Sequence, residues 1–174
     1  MEVVKEKEAV EQAQYLTFYI AGQEYAVGIL RVKEIIEYDT LTIVPATPAC
    51  IRGVINLRGC VVPVVDLAIK FGLPETAITK RTCIVIVETN LDGDQTVMGV
   101  MAESVSQVID LLPGEIEPPP PFGTQVRVDY LLGMGKTERK FIMILDIDKV
   151  LSSNELLAAS SLQTKENETA FKQG

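Results

Sequence analysis

The chain contains no histidine and no tryptophan. Without histidine it lacks the commonest general base, any Ser–His or Cys–His nucleophile and any imidazole metal ligand. Aromatic residues make up only 6%, so aliphatic side chains must fill the core. No glycine-rich phosphate loop occurs; Gly133-Met134-Gly135 is an isolated fragment that a tight turn would explain. Long apolar runs are missing, so no segment reads as a bilayer span, and residues 1–12 carry no apolar signal core. Basic residues are the scarcer charge, 16 Lys and Arg against 24 Asp and Glu, for a net charge of −8. Such a surface repels nucleic-acid phosphates and has no general attraction to anionic lipid. Cysteine is sparse: Cys50, Cys60 and Cys83 are odd in number and form no CxxC pair. They read as reduced thiols acting as small buried hydrophobes in a cytoplasmic protein. No metal and no cofactor are expected.

What is present is aliphatic. Hydrophobic residues are 47% of the 174, enough for one compact unit or two small lobes. Val and Ile are prominent, and branching at Cβ suits a pleated surface. Residues 1–14 are densely charged and read as a flexible N-terminal segment. Residues 152–174 are polar and acidic apart from Leu156 and Leu157, and read as a tail with a helical start. The ordered body is expected over 15–151. Within it Leu16, Phe18 and Ile20 alternate as on a half-buried strand, and 21–24 supply a turn into a second strand. Ile29, Val32 and Ile36 fall at helical spacing, although their β-branched content leaves a strand open. Residues 61–65 form an apolar strand that Pro63 places near an edge or a bulge. Residues 83–87, 96–101 and 141–145 are further strands.

The second half repeats the first. Displaced by 73 positions, Val27 falls on Val100, Val32 on Val105, Ile35 on Val108, Ile36 on Ile109, Pro45 on Pro118 and Pro48 on Pro121. Displaced by 80, Gly53 falls on Gly133, Asp66 on Asp146 and Leu67 on Ile147. Matches among Val and Ile arise easily by chance; paired prolines, glycines and aspartates do not. The repeats, about 15–70 and 80–151, imply two related all-β lobes of about five short strands, with strands free to interleave. Closing each into a small barrel would hide its strand edges.

Asp66 and Asp146 follow strands at matching places. A repeated cap explains them better than a catalytic pair, which would have to converge on one pocket. The run Pro118-Pro119-Pro120-Pro121 is expected to be a rigid connection rather than a polyproline ligand, because Pro45 and Pro48 hold the matching place. The most informative polar stretch is Asn56-Leu57-Arg58-Gly59, set between two apolar runs. Gly59 permits a tight turn, from which Arg58 would project on a rigid backbone. Arg58 is then either a partner-binding guanidinium or half of an internal salt bridge, with Glu34 the first candidate carboxylate. Position alone does not separate the two, and Glu34 by itself reads as part of a solvated face.

At these residues the sequence resembles the CheW coupling-protein family. The carriers are YLTFYI from Tyr15, YAVGILRVKEI from Tyr25, IRGVINLRG from Ile51, VPVVDL from Val62, SVSQV from Ser104 and LDID from Leu145. They cover almost all of 15–151, and G-V-x-N-L-R-G followed closely by P-V-x-D-L is highly specific. The resemblance implies two intertwined five-stranded SH3-like β-barrels with short helices. It implies a non-catalytic adaptor that binds the regulatory domain of the histidine kinase CheA and the cytoplasmic tip of chemoreceptors (methyl-accepting chemotaxis proteins). Such an adaptor is cytoplasmic and recruited to membrane-associated receptor arrays. Val32, Glu34, Gly53 and Arg58 match positions the family uses for receptor or kinase coupling, Gly53 through shape rather than contact. The chain departs from the family pattern at Ala68, where Arg is commoner, at Val100-Met101-Ala102-Glu103, where Val-Val-Asp is commoner, and in its longer proline run. Two rival readings stand beside this one. One is a module of the same type serving a non-chemotaxis kinase pathway. The other is a small-barrel ligand-binding or enzymatic domain, against which the missing histidine and the lack of a convergent polar set argue.

Overall fold

The computed structural model describes residues 13–91, 93–119 and 128–152. The strands are β1 (Ala13–Ile20), β2 (Gln23–Gly28), β3 (Val32–Glu37), β4 (Ile51–Leu57), β5 (Cys60–Val65), β6 (Cys83–Leu91), β7 (Asp94–Ala102), β8 (Ser104–Leu111), β9 (Ile116–Glu117), β10 (Leu131–Lys136) and β11 (Phe141–Leu145). A 3₁₀ turn, Ile29–Arg31, leads into β3, and two four-residue helices, α1 (Leu67–Lys70) and α2 (Ile147–Val150), follow β5 and β11. The strands form two sheets, in the orders β8-β1-β2-β11-β10-β9 and β3-β6-β7-β5-β4. Both belong to the expected all-β, SH3-like plan.

Alternation along each strand divides the core. On β6, Ile84 and Ile86 face the interior of the five-stranded sheet with Val62, Val64 and Met101. Their neighbours Val85 and Val87 join a larger cluster drawn from both sheets, including Phe18, Val27, Val100 and Leu145. Ala26, Leu111, Ile142 and Ile144 form the interior of the six-stranded sheet.

The repeat seen in the sequence is a repeat of pairing register. In the five-stranded sheet β5 and β7 run parallel with Val64 opposite Gly99; in the other, β11 and β2 run parallel with Ile144 opposite Ala26. Val32, Ile35 and Ile36 of β3 lie opposite Val87, Val85 and Ile84, while Val105, Val108 and Ile109 of β8 lie opposite Phe18, Leu16 and Tyr15. The β4–β5 register shifts between Ile51 and Gly53 and the β10–β11 register between Leu131 and Gly133. Neither sheet uses one repeat alone: β1 and β2 join β8 to β11, and β3 to β5 join β6 and β7. Asp66 and Asp146 hold matching places. Each caps its helix, accepting from the Ala68 and Lys149 amides, and each donates its own N–H to a carbonyl just before a strand, Cys50 and Tyr130.

Several expectations need correction. Helical spacing over 29–36 yields only the 3₁₀ turn; from Val32 on, the β-branched side chains pack as strand β3. Of the two places expected for Pro63, a bulge and an edge, the first holds and only the second fails, since β5 lies between β4 and β7. Pro63 sits beside the bulge, opposite Val54, whose N–H and C=O both turn to Thr42 at 2.8 and 3.0 Å. No β4 partner therefore needs the N–H that proline lacks. Gly133 and Gly135 make no turn but lie inside β10, because side chains would not fit. A Cβ on Gly133 would fall 2.8 Å from the Glu117 carbonyl, and one on Gly135 2.8 Å from Leu111 Cδ1. Of the cysteines only Cys50 is fully buried; Cys60 is exposed, and none is in a disulfide. Ala13 and Gln14 belong to β1, opposite Leu111 and Asp110, so the strand reaches into the segment read as flexible. The remainder of that segment, the tail from 153 onward, and Pro120 and Pro121 lie outside the described residues.

Candidate functional site

Val32, Glu34, Gly53 and Arg58 all lie in the five-stranded sheet, on its outer strands β3 and β4 or in the turn after β4. That turn has two residues, Arg58 at φ 54° and Gly59 at φ 86°, the positive pair of a type I′ hairpin. The first position of such a turn favours Asn, Asp or Gly, because Cβ crowds the left-handed conformation. Here the hairpin imposes it on an arginine, and the Asn56 side chain fixes the turn by accepting the Gly59 N–H at 2.7 Å.

Held in this way, Arg58 reaches across to β3. Its Nη1 donates to Glu34 Oε2 at 2.5 Å and its Nη2 to Oε1 at 3.2 Å, the two-toothed geometry that suits guanidinium and carboxylate. Because β3 and β4 are opposite ends of the sheet order, this contact shows the sheet curled into a barrel. The Arg58 hydrogen bonds hold the Glu34 carboxyl below the usual carboxylate range. The side chains are 74% and 28% exposed, so the carboxylate is partly shielded and the guanidinium is displayed.

Gly53 has φ 152°, and a Cβ there would lie 2.7 Å from the Thr42 carbonyl oxygen and 2.9 Å from Leu41 Cβ. The residue acts through shape: it lets the strap at 41–42 cross tightly over β4, where Thr42 pairs with Val54. Val32 opens β3, half-buried against the shared core and opposite Val87. The structure thus joins Glu34 to Arg58, sets Val32 just across a bulge on the same strand, and places Gly53 on the strand leading into the Arg58 turn.

Sequence reasoning missed two networks. Asp148 on α2 accepts from Arg31 Nη1 and Nη2 at 2.9 and 2.7 Å, from the Thr89 hydroxyl at 2.8 Å and from the Asn90 amide at 2.8 Å. Burial works to raise the Asp148 pKa, but these donors outweigh it and hold the carboxyl below its ordinary value. Fully buried Asp66 binds Arg52 Nη1 at 2.8 Å together with the amide and hydroxyl of Thr76 at 2.8 and 2.7 Å. Arg31 and Asp148 carry no local signal linking them; Arg52 and Asp66 are closer, but their partner Thr76 sits in a loop with no motif.

Among the described residues no group of three or more Cys, Asp or Glu is placed to hold a metal ion, and no helix is long and apolar enough to cross a membrane. The arrangement is one of displayed charge on a stiff β-frame. The family described as the CheW-like domain matches residues 14–155. The chain belongs to the CheW-like family. It is similar to the chemotaxis protein CheW of Klebsiella aerogenes, 36% identical over 143 residues that span 82% of this chain and 84% of that one. Similarity to the chemotaxis protein CheW of Bacillus subtilis is 34% over 145 residues, 83% of this chain and 90% of that one. The crystal structure of the scaffolding protein TtCheW from Thermoanaerobacter tengcongensis aligns with TM-score 0.74 at 32% identity, over 83% of this chain and 91% of that one. The CheW-like domain therefore includes both outer strands of each barrel and the helix bearing Asp148.

Proposed function

We propose that this CheW-like chain is a non-catalytic chemotaxis adaptor joining the cytoplasmic tips of chemoreceptors to the regulatory domain of the histidine kinase CheA, within receptor arrays at the membrane. The observation that carries this reading is the family match over 14–155, supported by relatives named chemotaxis protein CheW and a structural relative named a scaffolding protein. The geometry of the site agrees with it. A stiff turn that displays a permanently charged, five-donor guanidinium suits recognition by contact and not by reaction. In this reading Val32, Glu34, Gly53 and Arg58 form the coupling surface. Glu34 sets the direction of Arg58, whose remaining donors meet an acidic or carbonyl group on the partner, and Gly53 keeps the neighbouring strap in place.

Calorimetry tests the reading. Titration with the kinase regulatory domain, and separately with a receptor-tip fragment, should give saturable binding with a negative heat-capacity change as apolar surface is buried. Arg58→Glu should stay folded and weaken one of the two by roughly tenfold or more. Absence of binding to both partners at low and at moderate salt would overturn the assignment.

A further inference from the structure

Arg31 closes the 3₁₀ turn directly before β3, and its guanidinium is clamped in two-toothed fashion by Asp148. Asp148 belongs to α2, which follows the last strand of the six-stranded sheet, whereas Thr89 and Asn90, which share its Oδ1, lie on β6 of the five-stranded sheet. One carboxylate thus ties the two sheets together. It does so at the end of the β3–β6 ladder, where Val32 pairs with Val87 just before the register shifts between Val32 and Glu34. On the far side of that bulge Glu34 is held by Arg58. The stretch 31–34 is therefore a bulge with an ion pair at each end, one of them anchored in the other sheet.

The fold does not require this clamp. Carried into the six-stranded sheet by the matched registers, Asp148 corresponds to Ala68, Arg31 to Ser104, Thr89 to Ile20 and Asn90 to Ala21. Those uncharged residues support the same strand pairing and a bulge at the same place. We propose that Asp148, acting through Arg31, is a positioning residue that sets where β3 presents Val32 and Glu34, and so couples the six-stranded sheet to the binding edge. This rests on the coupling role given above to Val32 and Glu34.

The test uses the full chain carrying Asp148→Asn, which keeps an acceptor for Thr89 and Asn90 but not the two-toothed charge, beside Arg31→Ala, the double variant and Glu34→Lys. Binding to the receptor-tip fragment and to the kinase regulatory domain is measured where circular dichroism shows every variant folded, and amide chemical shifts are recorded for 32–34. Asp148→Asn should move those shifts and weaken, by about tenfold, the same partner that Glu34→Lys weakens, leaving the other unchanged. Arg31→Ala should do likewise, and the double variant should be no worse than either single one. Unchanged binding by folded Asp148→Asn overturns the proposal alone, as does weakening of both partners in step with lost thermal stability. If Glu34→Lys itself leaves both affinities unchanged, the coupling surface falls and this inference with it.

Discussion

Asp146 caps α2 from a half-buried position by accepting the Lys149 amide. Its counterpart Asp66 is fully buried, binding Arg52 and both the amide and hydroxyl of Thr76 besides its own helix. The residue matching Arg52 is Leu132, which is 58% exposed. At the bulges the contrast reverses. In the six-stranded sheet the buried Thr17 hydroxyl donates to the Gln107 carbonyl and accepts the Gln107 amide, both at 3.2 Å, stitching the gap. The matching place in the five-stranded sheet holds Ile86 opposite Glu34, whose carboxylate turns to Arg58 instead. What the two barrels share, the register, the helix caps and the close-packed glycines, is what the fold needs. What they do not share are the side-chain networks around those caps and bulges: in the five-stranded sheet the backbone pairs Glu34 with Ile86 without a side-chain stitch, and two of the candidate coupling residues, Val32 and Glu34, flank that bulge.

The sharpest way to break the comparison is at the aspartates. Asp66→Ala takes the acceptor from Thr76 and leaves the largely buried Arg52 only the more distant Glu75 carboxylate at 3.6 Å, and should cost roughly 2–4 kcal/mol; Asp146→Ala loses one cap and should cost about 1 kcal/mol. Equal losses in denaturant unfolding would mean that the two caps are interchangeable. The glycines come next. Gly53→Ala combines positive φ with overlap on a backbone oxygen, at roughly 2–3 kcal/mol. Gly133→Ala meets similar crowding without the φ penalty, at about 1–2 kcal/mol, and thermal melts of the pair would separate conformation from crowding. Thr17→Val removes the stitch and should cost about 1 kcal/mol, with faster hydrogen exchange in β8 as its local mark.

Acid sharpens the comparison further. Burial works to raise the Glu24 pKa, but Lys140, helped by Tyr19, holds it below its ordinary 4.5, and Asp148 lies below its ordinary 3.8. A carboxylate depressed in the folded state stabilises fully above its unfolded value and loses that contribution as pH falls through the folded one. Stability should therefore decline as pH drops below these ordinary values, and Glu24→Gln or Asp148→Asn should each flatten part of the slope in an acid titration of unfolding. The smallest effect is expected at the displayed pair. Arg58→Glu should barely shift the melting temperature, because water and salt screen so exposed a charge. A double-mutant cycle with Glu34→Arg should recover whatever is lost; a large loss would make the pair structural in the way Asp66 is.

Much of this was legible in the residues. Alternation in β1, the apolar runs at 61–65 and 83–87, and the recurrence of Gly53 and Asp66 as Gly133 and Asp146 carry the all-β repeat, because a strand's period and a helix cap are local properties. Arg58 could be read as a rigidly displayed cation, with Glu34 as its first candidate partner, because a two-residue hairpin is also local. Exchange of strands between the sheets was implied by the family resemblance and not by any local pattern; the strap over Gly53 and the Arg31–Asp148 clamp were not legible at all, since each depends on contacts distant in sequence. The helical spacing of Ile29, Val32 and Ile36 misled for a related reason. A bulge between Val32 and Glu34 resets which side chains share a face, and no periodicity can register a reset.

The two sheets also differ in when they can exist. The five-stranded sheet is one continuous stretch from β3 to β7, so all its strands have been made once Ala102 has been added. The six-stranded sheet needs β2 beside β11, Tyr25 against Met143, and cannot close until nearly the whole body has left the ribosome. At the usual pace of synthesis the β1–β2 hairpin waits on the order of 10 s for its partners. In the finished protein Leu16, Phe18 and Ile20 of β1 pack in one core with Val85, Val87 and Val100 of the five-stranded sheet, so the sheet whose strands are all made first carries part of the surface that the later one needs.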